Sequence, residues 1–217
     1  MRVTPVLEDL TQYQTYAEHI GMTFNQYLLG GETPLLIHTG DTLVAGHLAE
    51  ALIPALKGRP LSLVFISHFE SDECGGLGFW LKKYPQAKAV CSEVTARQLA
   101  GFGITTNVVI KKPGETLHAG GFDLRFFGYP SEMHLWEGLL AFETRRKTLF
   151  CADLFGRRGA VPEAIQAVAW PDEVESITPM QIPSPQARSA VQVHLRTLQV
   201  EFVAPGHGPV LRTALTR

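Results

Sequence analysis

Apolar positions in this chain come in short unbroken runs. Leu61-Ser62-Leu63-Val64-Phe65-Ile66, Thr148-Leu149-Phe150-Cys151-Ala152 and Glu201-Phe202-Val203-Ala204 have the pattern of strands covered on both faces. Phe122-Asp123-Leu124-Arg125-Phe126-Phe127 alternates instead, as a strand with one wetter face does. The pattern predicts strands at 23–29, 35–39, 63–67, 88–91, 107–110, 116–117, 122–127, 139–143, 148–152 and 202–204. It predicts helices at 42–56, 76–83, 92–102 and 184–199. Ser92 and Thr95 read as an N-cap region, and Gly101 and Gly103 as the end of that helix. Residues 159–182 carry Pro162, Trp170-Pro171 and Pro179. They predict an irregular segment with one short helix, overhanging the strand ends. Each half reads as strands followed by helices, which fits a pseudo-symmetric αββα sandwich.

Ligand-type side chains gather where the runs stop. The first run is followed by His68-Phe69-Glu70-Ser71-Asp72-Glu73, then Gly75-Gly76. Asp153 closes the second run, and His207 follows the third inside Pro205-Gly206-His207-Gly208-Pro209. His134 comes after the alternating strand and the turn formers Gly128-Tyr129-Pro130. Three carboxylates within four residues repel one another unless a cation neutralises them. If these four strand ends share one edge of the sandwich, they make a single site.

These residues resemble the metallo-β-lactamase superfamily over nearly the whole chain. Hydrolases of that superfamily carry His-x-His-x-Asp-His in the first motif, whereas this chain has Glu70 and Glu73 at the second and third His positions. Glu70 is the substitution typical of flavodiiron proteins and of stand-alone oxygen-binding di-iron proteins. The step of 19 from His134 to Asp153 also matches that subgroup, as do Leu149-Phe150-Cys151-Ala152-Asp153-Leu154-Phe155-Gly156 and the early segment Gly21-Met22-Thr23-Phe24-Asn25-Gln26-Tyr27-Leu28.

The resemblance implies an α/β (α+β) fold, a four-layer αββα sandwich, with residues 1–217 as one domain and no flavodoxin or rubredoxin domain. It implies that His68, Glu70 and His134 hold one metal, that Asp72 and His207 hold a second, and that Asp153 bridges them. Glu73 is an added ligand, a partner of the ligands, or a group facing an open position. Two iron ions are the implied cofactor, with zinc or manganese as alternatives and no flavin in this chain. Carboxylate and imidazole ligands suit iron and manganese, whereas thiolates favour zinc. The implied activity is binding or reduction of dioxygen or nitric oxide, with an external electron donor, or a signalling partner if the output is oxygen sensing. The alternative is a dinuclear metal hydrolase, against which Glu70 and Glu73 count: added anionic ligands weaken the metals as Lewis acids. Phe69, Tyr129, Trp136 and Phe155 either wall a dry pocket or are ordinary core.

Composition narrows the setting. The 217 residues are 45% hydrophobic, enough for one substantial core. A net charge of −2 gives no electrostatic case for nucleic acid or an anionic membrane surface. No apolar run approaches a membrane span or a signal-peptide core. Cys74, Cys91 and Cys151 cannot all pair, which suggests reduced thiols and a cytoplasmic setting. On a strand, Cys151 shares a side with Asp153, yet reads as a small buried hydrophobe; Cys74 has a redox-sensitive alternative. His19, His38, His47, His118 and His194 lack partner spacing and read as surface or satisfied core. A homodimer is left open.

Overall fold

The two-faced apolar runs become inner strands of two stacked sheets. The computed structural model describes residues 1–130 and 138–213. The first sheet takes its strands in chain order: β1 (Arg2–Pro5), β2 (Leu10–Ala17), β3 (Met22–Leu29), β4 (Leu35–Ile37), β5 (Leu63–Phe65), β6 (Lys88–Cys91) and β7 (Val108–Ile110). The second sheet contains β8 (Thr116–Ala119), β9 (Phe122–Tyr129), β10 (Gly138–Glu143), β11 (Thr148–Phe150), β12 (Ile165–Val168), β13 (Phe202–Ala204) and β14 (Val210–Thr213). Its order in space is β12-β14-β13-β11-β10-β9-β8.

Period-two alternation divides each buried strand between two cores. Leu35 and Ile37 of β4 and Leu63 and Phe65 of β5 meet Phe126, Leu139, Phe150 and Phe202 between the sheets. Leu36 and Val64 point the other way, to Leu48 and Leu52 of α1 (Val44–Leu56), Trp80 of α3 (Leu77–Lys83) and Leu99 of α4 (Glu93–Gly101). On the second sheet, Leu149 and Val203 face Val174 of α5 (Trp170–Glu175) and Val191 and Leu195 of α6 (Pro185–Arg196). The layers are therefore helix, sheet, sheet, helix, as expected. Ser92 caps α4 through its hydroxyl, which accepts from Thr95 N at 3.1 Å.

Several elements were not legible. β1, β2, β12 and β14 went unpredicted. β2 carries Gln12 and Gln14, both buried, so its polar pattern hides a strand paired on both sides. The turn of helix α2 (Ser71–Cys74) was also missed, because it presents acidic rather than apolar side chains. β4, β5 and β11 each stop two residues before their expected ends. The chain leaves the pleat at His38 (φ 63°) and at Ala152 (φ 51°). Strand alternation thus ends before Cys151, and the expectation that it places Cys151 on the side of Asp153 fails. All three cysteines are free and buried, and burial pushes the Cys74 thiol up to about 12, which opposes its redox-sensitive reading. Among the described residues no helix is long and apolar enough to cross a membrane.

The loop after β4 sets the position of α2. Thr39 N donates to Glu73 O at 2.9 Å, and Gly76 N donates to Gly40 O at 2.8 Å. A Cβ on Gly76 would lie 2.9 Å from both the Ala45 Cβ and the Gly40 carbonyl oxygen, so only glycine allows this approach. Gly76→Ala should therefore push α2 outward and cost about 1–3 kcal/mol of stability. Urea unfolding measures the loss, and an unchanged midpoint would show that the contact is not tight.

Candidate metal centre

Parallel pairing brings the key strand ends together. β4 runs parallel to β5, and β11 runs parallel to β13. Each of the four continues from its C-terminal end into a loop carrying a polar side chain: His38, then His68 to Glu73, then Asp153, then His207. Cross-sheet hydrogen bonds lock the two edges into one. Leu139 N donates to Ser67 O at 2.8 Å, and Asn25 N donates to Gly206 O at 2.8 Å.

Asp153 stands between the two histidines. Its Oδ2 is 3.4 Å from His68 Nε2, and its Oδ1 is 3.4 Å from His207 Nε2. Glu70 Oε2 is 3.2 Å from His68 Nε2, and Asp72 Oδ2 is 3.7 Å from His207 Nε2. Two overlapping sets of potential ligand atoms result, His68/Glu70/Glu73 and Asp72/Glu73/His207, each gathered within 4.8 Å. Glu73 belongs to both. The structure thus brings together six of the seven expected site residues; the seventh, His134, lies outside the described residues, as does Trp136.

Charge makes the cluster costly without a cation. Glu73 is fully buried, and neither of its oxygens has a hydrogen-bond partner among the described residues; Asp153 Oδ1 also lacks one. Burial, reinforced by the Asp72 charge, pushes the Glu73 carboxyl well above its usual range. Burial also raises Asp72, against the pull of His207. Burial opposes the charge on Asp153, but the paired imidazoles of His207 and His68 outweigh it and hold Asp153 below the carboxylate range. Burial likewise opposes a charge on His68, but hydrogen bonds to Asp153 and Glu70 win and raise it to about 11. Unpartnered buried carboxylate oxygens beside imidazole nitrogens are the donor set of a cation site. The residues fit a pair of metal ions.

Two supporting residues escaped the sequence reading. His38, given no role there, is buried at the site, with Nδ1 3.9 Å from Glu73 Oε1. Its place directly after a buried strand, like that of His68, was the available signal. Asn25 is the second. It is 1% exposed, and its side-chain amide donates to Pro205 O at 2.9 Å and to Gly208 O at 2.8 Å. Gln14 Nε2 donates to its oxygen at 2.9 Å, and Tyr27 Oη donates to Pro205 O at 2.8 Å. This clamp holds the His207 loop. Thr23 O accepts from His207 Nδ1 at 2.8 Å, so the proton sits on Nδ1 and Nε2 keeps its lone pair.

The aromatic expectations separate. Tyr129 packs edge-on to His68, with centroids 6.0 Å apart. Phe155 is core, packed on Trp170, and Phe69 packs on Phe102. A cavity of about 460 Å³ opens beside Asp153 and His207, walled by Met22, Tyr129, Arg157, Arg158, Thr178 and Gln181. The end of the 159–182 segment, at Ser176 to Gln181, therefore overhangs the site as expected, while β12 in its middle is regular strand rather than irregular chain.

A family model described as ODP family beta lactamase matches residues 22–208. A diflavin flavoprotein of Thermosynechococcus vestitus is 29% identical over 210 residues, covering 91% of this chain and 35% of that protein. An anaerobic nitric oxide reductase flavorubredoxin of Salmonella arizonae is 25% identical over 149 residues, covering 68% of this chain and 30% of that protein. The chain thus spans about a third of the length of these relatives. In fold it is similar to rubredoxin oxygen:oxidoreductase of Desulfovibrio gigas, with a TM-score of 0.80 at 19% identity, over 97% of this chain and 57% of that one.

Asn25→Leu should leave the Pro205 and Gly208 carbonyls short of a donor, costing about 2–3 kcal/mol, and should weaken metal uptake through the loosened His207. Paired thermal melts and metal titrations check this; parent-like values in both would mean the clamp is dispensable.

Proposed function

Because the chain belongs to the family described as ODP family beta lactamase, we propose that it is a non-haem di-iron protein that binds or reduces dioxygen or nitric oxide. The observation that carries this reading is the acid-rich cluster, in which Asp153 divides its oxygens between His68 and His207 while Glu73 lies buried and, among the described residues, without a hydrogen-bond partner. His68 and Glu70, with His134, would hold one iron. Asp72 and His207 would hold the other, Asp153 would bridge, and Glu73 would serve either. When bound, the irons supply redox chemistry toward a small diatomic gas.

The chain's own residues prepare that chemistry. Thr23 keeps Nε2 of His207 open, and Tyr129 packs against the His68 ring. Names of relatives support both gases: one is called a nitric oxide reductase and another an oxygen:oxidoreductase. An electron-donating protein or domain is the proposed partner, or a signalling protein if the output is oxygen sensing. The proposed setting is the reducing cytoplasm, which three buried free thiols support.

One observation favours a second reading. The cavity of about 460 Å³ beside Asp153 and His207 is larger than a diatomic gas needs and has Arg158 at its wall. A dinuclear metal hydrolase acting on an ester, thioester, lactam or phosphoester would use such a space.

Metal analysis by plasma mass spectrometry, on protein from cells supplied with iron and zinc, separates the two. The expected result is two irons per chain and a near-ultraviolet ferric absorption in air. A colourless protein with two zincs overturns the iron reading and calls for an esterase and thioesterase screen. Asp153→Ala should abolish uptake of both ions, because one carboxylate serves both histidine partners. Retention of one ion would make Asp153 a terminal ligand.

A further inference from the structure

His68 and His207 present the same ring nitrogen to their carboxylate neighbours, yet different groups stand behind them. Behind His207 is a backbone carbonyl, an obligate acceptor that fixes the ring's proton on Nδ1. Behind His68 is the Ser67 hydroxyl, 3.0 Å from Nδ1. A hydroxyl both donates and accepts, so alone it fixes nothing. The deciding group is one step further back. His38 Nε2 lies 2.9 Å from the same Ser67 Oγ, and His38 Nδ1 faces Glu73 Oε1 at 3.9 Å. His38, Ser67 and His68 are 3%, 0% and 1% exposed, so water does not compete for these contacts.

We propose that His38 and Ser67 are positioning residues that fix the coordinating form of His68 and hold Glu73 between the two ligand sets. This rests on the two-metal reading above. With a cation on His68 Nε2, the His68 proton is on Nδ1 and is donated to Ser67 Oγ. Ser67 then donates its own proton to His38 Nε2, which must offer a lone pair. The His38 proton consequently sits on Nδ1, directed at the otherwise unpartnered Glu73 carboxylate. At 3.9 Å that last contact is electrostatic rather than a hydrogen bond. The assignment uses each donor and acceptor once. It links His68, in one ligand set, to Glu73, which is common to both. The backbone is arranged for it as well: His38 adopts φ 63°, a left-handed conformation that is uncommon outside glycine and that positions the ring at the strand end.

The test uses the full chain loaded with zinc, which is diamagnetic, so that long-range proton–nitrogen NMR reads each ring's protonated nitrogen. The expected result is Nδ1–H for both His38 and His68. His38 protonated on Nε2 overturns the relay even if two ions are bound. Ser67→Ala should then weaken zinc binding about 10- to 100-fold while the metal-free melting temperature stays near the parent's. His38→Gln, whose amide reaches about as far as imidazole Nε2 and so keeps the Ser67 contact, should retain more affinity than His38→Asn, whose amide falls short of it. Parent-like affinity in Ser67→Ala also overturns the proposal, and should that variant not fold, the NMR result on the parent decides. A parent that takes up no metal overturns the two-metal reading and the relay together, an outcome distinct from two bound ions with His38 protonated on Nε2.

Discussion

Glu73 is a fully buried carboxyl group whose oxygens have no hydrogen-bond partner among the described residues, and the rest of the site is arranged around that constraint. A buried anion without a partner is among the most expensive things a protein can hold. Here the expense is concentrated where Asp72 and Asp153 add to it. Hydrophobic packing cannot remove it, because the cost is electrostatic. A cation can, and the donor atoms that would receive one already lie within 4.8 Å of each other. Stability without metal and affinity for metal are therefore opposed at this residue: the enclosure that makes the Glu73 carboxyl keep its proton in the empty fold leaves a carboxylate suited to a cation once that proton is displaced.

The sandwich tolerates this because its strain is confined to loop ends. Backbone carbonyls and amides, which cannot rotate away, do most of the positioning. Asn25 grips the His207 loop through two carbonyls, and Thr23 supplies the acceptor behind the His207 ring. On the opposite sheet, Thr39 and Gly40 hold α2 through main-chain bonds. Behind His68 stand the buried side chains of Ser67 and His38 instead. Both halves of the centre thus rest on polar contacts that single substitutions can interrupt.

The layers of the fold were legible because burial on both faces writes itself into sequence as unbroken apolar runs. The clustering of ligand-type residues at the ends of those runs was legible for a related reason: polar side chains stand out against Val64-Phe65-Ile66 and Leu149-Phe150. What stayed hidden was polar but structural. Gln12 and Gln14 mask β2, since their side chains face buried polar surroundings that a hydropathy pattern cannot separate from solvent. His38 was passed over because ligand spacing was the criterion, whereas the group of the site that it faces is Glu73, thirty-five positions away. The turn of α2 was hidden because Ser71, Asp72 and Glu73 give it no apolar periodicity.

The acid content of the centre bears on its chemistry. Glu70, Asp72, Glu73 and Asp153, when all ionised, balance two divalent ions and leave two trivalent ions with a surplus of positive charge. Each carboxylate that replaces an imidazole therefore favours the more oxidised metal pair and raises the pKa of bound water, weakening any hydrolytic nucleophile. The nearby cavity argues for a larger substrate, but room is a permissive condition whereas ligand charge acts on every step at the metals. Ligand charge therefore weighs more than the room beside Asp153 and His207 in favour of the proposed redox reading.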